Sequence, residues 1–198
     1  MQRVLNVGGN SKAIPLPPQY AGFDHWLLDI DPTGEPDIVC DSREMSQLDT
    51  DIFDAVYCSH NLEHYHHHDV QRVLRGFLHV LKAGGFAHIR VPDMEAVMRA
   101  VVTNGLDIED TLYQSPAGPI FVLDVIYGYG RQIEESGQHF YAHKTGFTAK
   151  SLEKALINAG FVQVYLATSD LEISAIAFKN QVGRLGARLF DLSSAPSM

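Results

Sequence analysis

Basic residues are scarce in this chain. Fifteen Lys and Arg stand against 24 Asp and Glu, a formal net charge of −9 at pH 7, and no Lys/Arg run occurs. Such a chain repels phosphate backbones, so no nucleic-acid partner is expected. Cysteine is nearly absent: Cys40 and Cys58 stand in neither CxxC nor metal-ligand spacing, which suits a reducing, cytoplasmic setting. No stretch of 18 apolar residues exists, and Met1-Gln2-Arg3-Val4-Leu5 lacks a signal-peptide pattern, so neither membrane spanning nor secretion is expected. No repeat or low-complexity linker divides the 198 residues, which read as one domain over 1–198. A chain of that size buries roughly 70% of its unfolded surface.

What is present is an alternation. Arg3–Val7, Trp26–Ile30, Asp37–Cys40, Phe53–Cys58 and Phe86–Val91 are short apolar runs bounded by turn residues. Between Asp69 and Lys82, Val70, Val73, Leu74, Phe77, Val80 and Leu81 fall at helical spacing, with Gly84-Gly85 as the expected stop. A helix is expected over Met94–Val102. Another is expected from Thr148, as N-cap, to Ala159, with Leu152, Leu156 and Ile157 on one face and Gly160 closing it. Strands at Val162–Ala167 and Ile173–Phe178 follow, then a tail over 180–198 with a frayed end at Ser193–Met198. The pattern predicts an α/β fold: a doubly wound, mostly parallel seven-stranded sheet with an irregular insertion, 104–145, after the fifth strand.

In such a sheet ligands bind beyond the carboxyl ends of the strands. Those ends carry Gly8-Gly9, Asp29, Asp41-Ser42, Ser59-His60 and Pro92-Asp93. Glycines allow close backbone approach, and an acid 21 positions after Gly8 suits two ribose hydroxyls, which together suggest an adenosine-containing cofactor. A dinucleotide would need Gly-x-Gly-x-x-Gly opening a helix that holds the pyrophosphate. Here Gly8-Gly9-Asn10-Ser11-Lys12-Ala13 lacks the later glycines, and Pro15, Pro17 and Pro18 oppose a helix. S-adenosylmethionine carries no phosphate and tolerates that loss.

Phe53-Asp54-Ala55-Val56-Tyr57-Cys58-Ser59-His60-Asn61-Leu62-Glu63-His64, then Leu81-Lys82-Ala83-Gly84-Gly85-Phe86, resembles the class I S-adenosylmethionine-dependent methyltransferases of the small methyltransferase-domain type. His143-Lys144-Thr145-Gly146-Phe147-Thr148 and Ala159-Gly160-Phe161 extend the likeness, which covers about Val4–Lys179. The resemblance implies a Rossmann-like methyltransferase fold with S-adenosylmethionine as cofactor. It puts Gly8 and Gly9 at the methionine portion, Asp29 on the ribose, Ile30 on the adenine face, Asp41 with Ser42 at the adenine amino group, and Ser59 and His60 beneath the methionyl group. Asn6 stands where the family usually has Asp or Glu, removing a charge near the cofactor's ammonium.

Methyl transfer asks the protein to align two groups and exclude water. An oxygen or nitrogen nucleophile of a small-molecule acceptor can also need a base, for which His60 and His143 are the catalytic candidates. The run His64, His66, His67, His68 invites a metal, but irregular backbone before the helix weakens the i, i+4 geometry; no metal is expected. Aromatic Tyr113, Phe121, Tyr127, Tyr129, Phe140 and Tyr141 of the insertion suggest a lid over the substrate. The chain opens at its first strand, without a covering N-terminal helix, which leaves the pocket open or closed by a second copy in a homodimer. Two other readings are a catalytically inactive binding protein on the same fold, motivated by Asn6 and the lost glycines, and a nicotinamide-dependent oxidoreductase. The second is disfavoured by Pro15–Pro18 and the lack of a Tyr-x-x-x-Lys pair.

Overall fold

The computed structural model describes residues 1–116 and 118–192. Strands β1 (Arg3–Val7), β2 (Asp24–Asp29), β3 (Ile38–Val39), β4 (Phe53–Ser59), β5 (Leu81–Pro92), β6 (Thr111–Ser115), β7 (Gly118–Phe121), β8 (Gln163–Ser169) and β9 (Glu172–Phe178) alternate with helices α1 (His67–Val80), α2 (Met94–Asn104), α3 (Val122–Tyr127), α4 (Gly130–Ser136), α5 (Ala149–Ala159) and α6 (Arg184–Leu189). Seven strands form one sheet in the order β3-β2-β1-β4-β5-β9-β8, and β6-β7 pair separately. Strands β1 to β5 are mutually parallel, while β9 runs antiparallel to both neighbours. The chain winds outward from β1 to β3, then returns to β4 on the other side of β1. That reversal opens a crevice at the carboxyl ends of β1 and β4.

Alternation along each strand feeds two layers. Leu5, Val7, Val56, Cys58 and Ile89 face Val73, Leu74 and Phe77 of α1 and Leu152 and Leu156 of α5. Val4, Ala55, Tyr57, Phe86, Ile176 and Phe178 face the other way, covered by Leu16, Tyr20 and Phe23 of the proline-rich loop and Leu185 and Leu189 of α6. Within this second layer the buried His88 ring lies between the Tyr20 hydroxyl and Ser174 Oγ, 3.1 Å from each. As the prolines imply, β1 and β2 are joined without a regular helix; one helical turn, Pro18–Tyr20, suffices.

The structure corrects several boundaries. Helix α1 starts at His67, two residues before Asp69, and ends at Val80 rather than at the glycine pair. Leu81 is fully buried and already pairs with Phe53, after which the register jumps to Ala55 opposite Phe86. The core demand for Leu81 therefore stops the helix, and Gly84-Gly85 fall within the irregular start of β5. Ile157 does not share the buried face of α5, being 48% exposed. The insertion is regular, with the β6-β7 hairpin, α3 and α4. Buried Asp124 organises it, one oxygen accepting from the Phe121 amide and the other from the Gly130 amide. The tail is patterned as well: α6 caps the sheet, because glycine at 186 lets the helix meet Phe178, whose ring a Cβ would approach to 2.3 Å. Ser193–Met198 lie outside the described residues.

Candidate active site

At the carboxyl ends of β1, β2 and β4 lies a cavity of about 240 Å³, walled by Gly8, Asn10, Asp29, Ile30, Asp41 and Arg43, with His60, Asn61 and His64 opposite. Gly8 turns there at φ +70°, and a Cβ on it would sit 2.0 Å from the Asn61 amide nitrogen. Only glycine lets β1 pass so close to the loop after β4. Asp29 is buried, yet among the described residues its carboxylate accepts one hydrogen bond per oxygen, from the Asn10 amide at 2.9 Å and the Asp31 amide at 3.0 Å. A carboxylate has about four acceptor positions, so two remain for a ligand's hydroxyls. Asp41 is more occupied: it caps the following turn through the Arg43 amide and binds the Arg43 guanidinium through Nε and Nη2. Those bonds hold its carboxyl below the usual range.

His60 terminates β4 in the left-handed region, φ +49°, a strained backbone for this residue type. Its amide donates to the Arg90 carbonyl, its Nε2 lies 2.8 Å from Glu172 and its Nδ1 lies 3.5 Å from Glu63. Burial works against its charge, but the two carboxylates outweigh that and raise its pKa to about 9. Glu172 also binds Arg90, at 2.8 Å, which fixes one of the two acids beside His60.

A second cavity of about 160 Å³ adjoins the first and shares His60 with it. Pro92 and Leu171 line it, together with Tyr113, Ile120, Asp124, Val125, Tyr129 and His143 of the insertion. Aromatics of the insertion thus divide: Tyr113 and Tyr129 line the second cavity, whereas Phe140 and Tyr141 cover the first. Tyr141 donates to Asp31 at 3.2 Å, closing a strap over the end of β2. Phe121 and Tyr127 face outward, 38% and 57% exposed. The Lys144 and Thr145 amides both donate to the Glu63 carbonyl, which pins the end of the insertion to the loop after β4.

Of the residues singled out from sequence, Gly8, Asp29, Ile30, Asp41 and His60 meet in the first cavity, and His143 in the second. Asn6, Gly9, Ser42 and Ser59 stand behind the walls. Asn6 is buried against Gly9, where a Cβ would come within 2.1 Å of its amide nitrogen. Ser42 is buried beside Tyr65, whose phenol pKa is raised chiefly by burial. Sequence reasoning missed Asn10, Arg43 and Asn61 as wall residues, whereas Tyr141 is among the aromatics expected in the lid. Asn10 and Asn61 flank Gly8 in space, and nothing in their spacing announces it.

Comparison with known proteins follows the same lines. Residues 24–89 match the methyltransferase-domain family. No curated protein matches the chain in sequence. Among solved structures, an S-adenosylmethionine-dependent methyltransferase from Archaeoglobus fulgidus superposes with a TM-score of 0.57 at 16% identity, over 90% of this chain and 86% of its own. An O-methyltransferase family protein from Burkholderia thailandensis gives 0.58 at 9% identity, over 90% and 51%. The CMeT domain of the citrinin polyketide synthase gives 0.55 at 12%, over 90% and 46%, so this chain spans about half the length of these last two. The sequence match runs from β2 into β5, and the shared sheet topology gives the chain the Rossmann-like fold of these methyltransferase structures.

Proposed function

We propose that the chain transfers a methyl group to an oxygen or nitrogen nucleophile of a small molecule held in the second cavity. The carrying observation is that the two cavities meet at His60, one at the strand ends and one built by the insertion. S-adenosylmethionine, when bound, supplies a methyl group on a sulfonium that already holds its leaving group. Gly8 and Asn61 would face its methionine portion, Asp29 its ribose and Ile30 its adenine, while Phe140 and Tyr141 exclude water above. Alignment and dehydration are the protein's main contributions to such a reaction.

The two catalytic candidates differ in what they offer. Both His60 nitrogens point at carboxylates, so His60 positions the junction and does not present a base. His143 lines the second cavity, and its Nδ1 lies 2.9 Å from the Val125 carbonyl. A carbonyl accepts only, so Nδ1 carries the proton and Nε2 keeps the lone pair that action on an acceptor's O–H or N–H requires.

Calorimetric titration with S-adenosylmethionine and S-adenosylhomocysteine tests the cofactor site. Binding is expected, and Asp29→Ala should weaken it at least tenfold, since hydrogen bonds to a charged group contribute about 1.5–3 kcal/mol each. Absence of binding at millimolar cofactor would sink the reading, and an unchanged Asp29→Ala would sink the ribose assignment. Mass-resolved turnover across hydroxylated and amino acceptors then tests the acceptor class.

A further inference from the structure

The loop after β4 and the end of the insertion bring Glu63, His64 and His143 together, with one ligating atom from each within 4.8 Å of the others. Glu63 is 1% exposed, and among the described residues neither carboxylate oxygen has a hydrogen-bond partner. The His60 Nδ1, 3.5 Å from one of them, stands too far for a hydrogen bond. His60 gives Glu63 an ion pair at that distance, but a buried carboxylate with no hydrogen bond to either oxygen is costly, and a ligated cation would offset that cost. Both imidazoles are set up to help ligate one. His64 Nδ1 lies 3.2 Å from the Ala142 carbonyl and His143 Nδ1 2.9 Å from the Val125 carbonyl. Each therefore donates from Nδ1 and keeps its lone pair on Nε2, the second-shell arrangement by which proteins fix metal-ligating histidines. The rings meet edge to face with centroids 4.8 Å apart.

We propose that Glu63, His64 and His143 bind a divalent first-row transition cation at the junction of the two cavities. Two imidazoles and one carboxylate make a borderline donor set of the kind that binds Zn²⁺ or Mn²⁺ and leaves positions open. His64 lines the first cavity and His143 the second, so the open positions fall where an acceptor meets the cofactor. The occupant of those positions, which rests on the methyl-transfer reading, is an acceptor oxygen; with the cation bound, His143 Nε2 is a ligand and no longer the base. Bound to the cation, its O–H is acidified and loses its proton to water, leaving the O⁻ nucleophile. The surface histidines of the same run take no part: His66, His67 and His68 are exposed.

The test is titration of the full-length, chelator-treated protein with Zn²⁺ and with Mn²⁺, alongside S-adenosylmethionine binding by the same preparation. One equivalent is expected to bind. His143→Ala should weaken it at least tenfold, whereas the triple variant His66→Ala/His67→Ala/His68→Ala should change it less than tenfold. No saturable binding, a smaller effect of His143→Ala, or loss in the triple variant would overturn the site. Should His143→Ala fail to fold, histidine nitrogen spectra of the wild type decide: Zn²⁺ must shift the Nε2 of two histidines that keep their Nδ1 protons, and shifts confined to His66–His68 overturn it. Cofactor binding without cation binding refutes the cation site alone. Cation binding without cofactor binding refutes the methyl-transfer reading instead.

Discussion

A single missing Cβ governs the approach of β1 to the loop after β4. Gly8 combines φ +70° with contact to Asn61, whereas Gly105, at φ +61°, has nothing within 4 Å of its absent Cβ. Gly105→Ala should cost about 1 kcal/mol, for the backbone conformation alone. Gly8→Ala should cost roughly 2–3 kcal/mol, because Asn61 must also move. Denaturant unfolding of the two variants measures the difference directly. At this scale the sequence was informative where chemistry is local. Gly8, Asp29 and His60 stand at strand ends, and a run of apolar residues shows where a strand ends. Glu63 was not readable in the same way. His143, with which it clusters, arrives from beyond the entire insertion.

Elements were legible in proportion to how much of their pattern comes from burial. Strand β1 and helix α1 are buried along one continuous stripe, and their periodicity shows it. Helix α5 shows the limit: Leu156 and Ile157 are adjacent and equally apolar, yet one is fully buried and the other 48% exposed. Leu156→Ala should destabilise by about 2–5 kcal/mol, and Ile157→Ala by less than 1 kcal/mol, in thermal or denaturant unfolding. The hairpin and α3–α4 of the insertion gave no such stripe, because much of their surface faces solvent or the second cavity and Asp124, a polar residue, ties them together. Helix α6 was invisible for another reason. It is six residues long with a glycine inside, and it owes its place to packing on Phe86 and Phe178.

For the molecule as a whole, the second layer of the sheet carries an acid-sensitive group. Burial, aided by the nearby Arg90 charge, lowers the His88 pKa from 6.5 to about 4. Above pH 6.5 the ring is neutral in folded and unfolded chains alike. As pH falls from 6.5 towards 4 the unfolded chain takes up the proton and the folded one does not, so stability declines across that window. The integrated loss approaches about 3 kcal/mol. Equilibrium unfolding measured between pH 7 and 4 should show it, and His88→Gln should flatten that dependence while lowering stability at neutral pH.

The strap that ends in Tyr141 has a reach larger than its single hydrogen bond to Asp31 suggests. Two residues further on stands His143, part of the wall of the other cavity, and then the Lys144 amide fastened to Glu63. A molecule that drew the strap down over the first cavity would also bear on the wall of the second. Linkage would then work in both directions: each occupant would raise the other's affinity by the same factor, which titration of one ligand with and without the other measures.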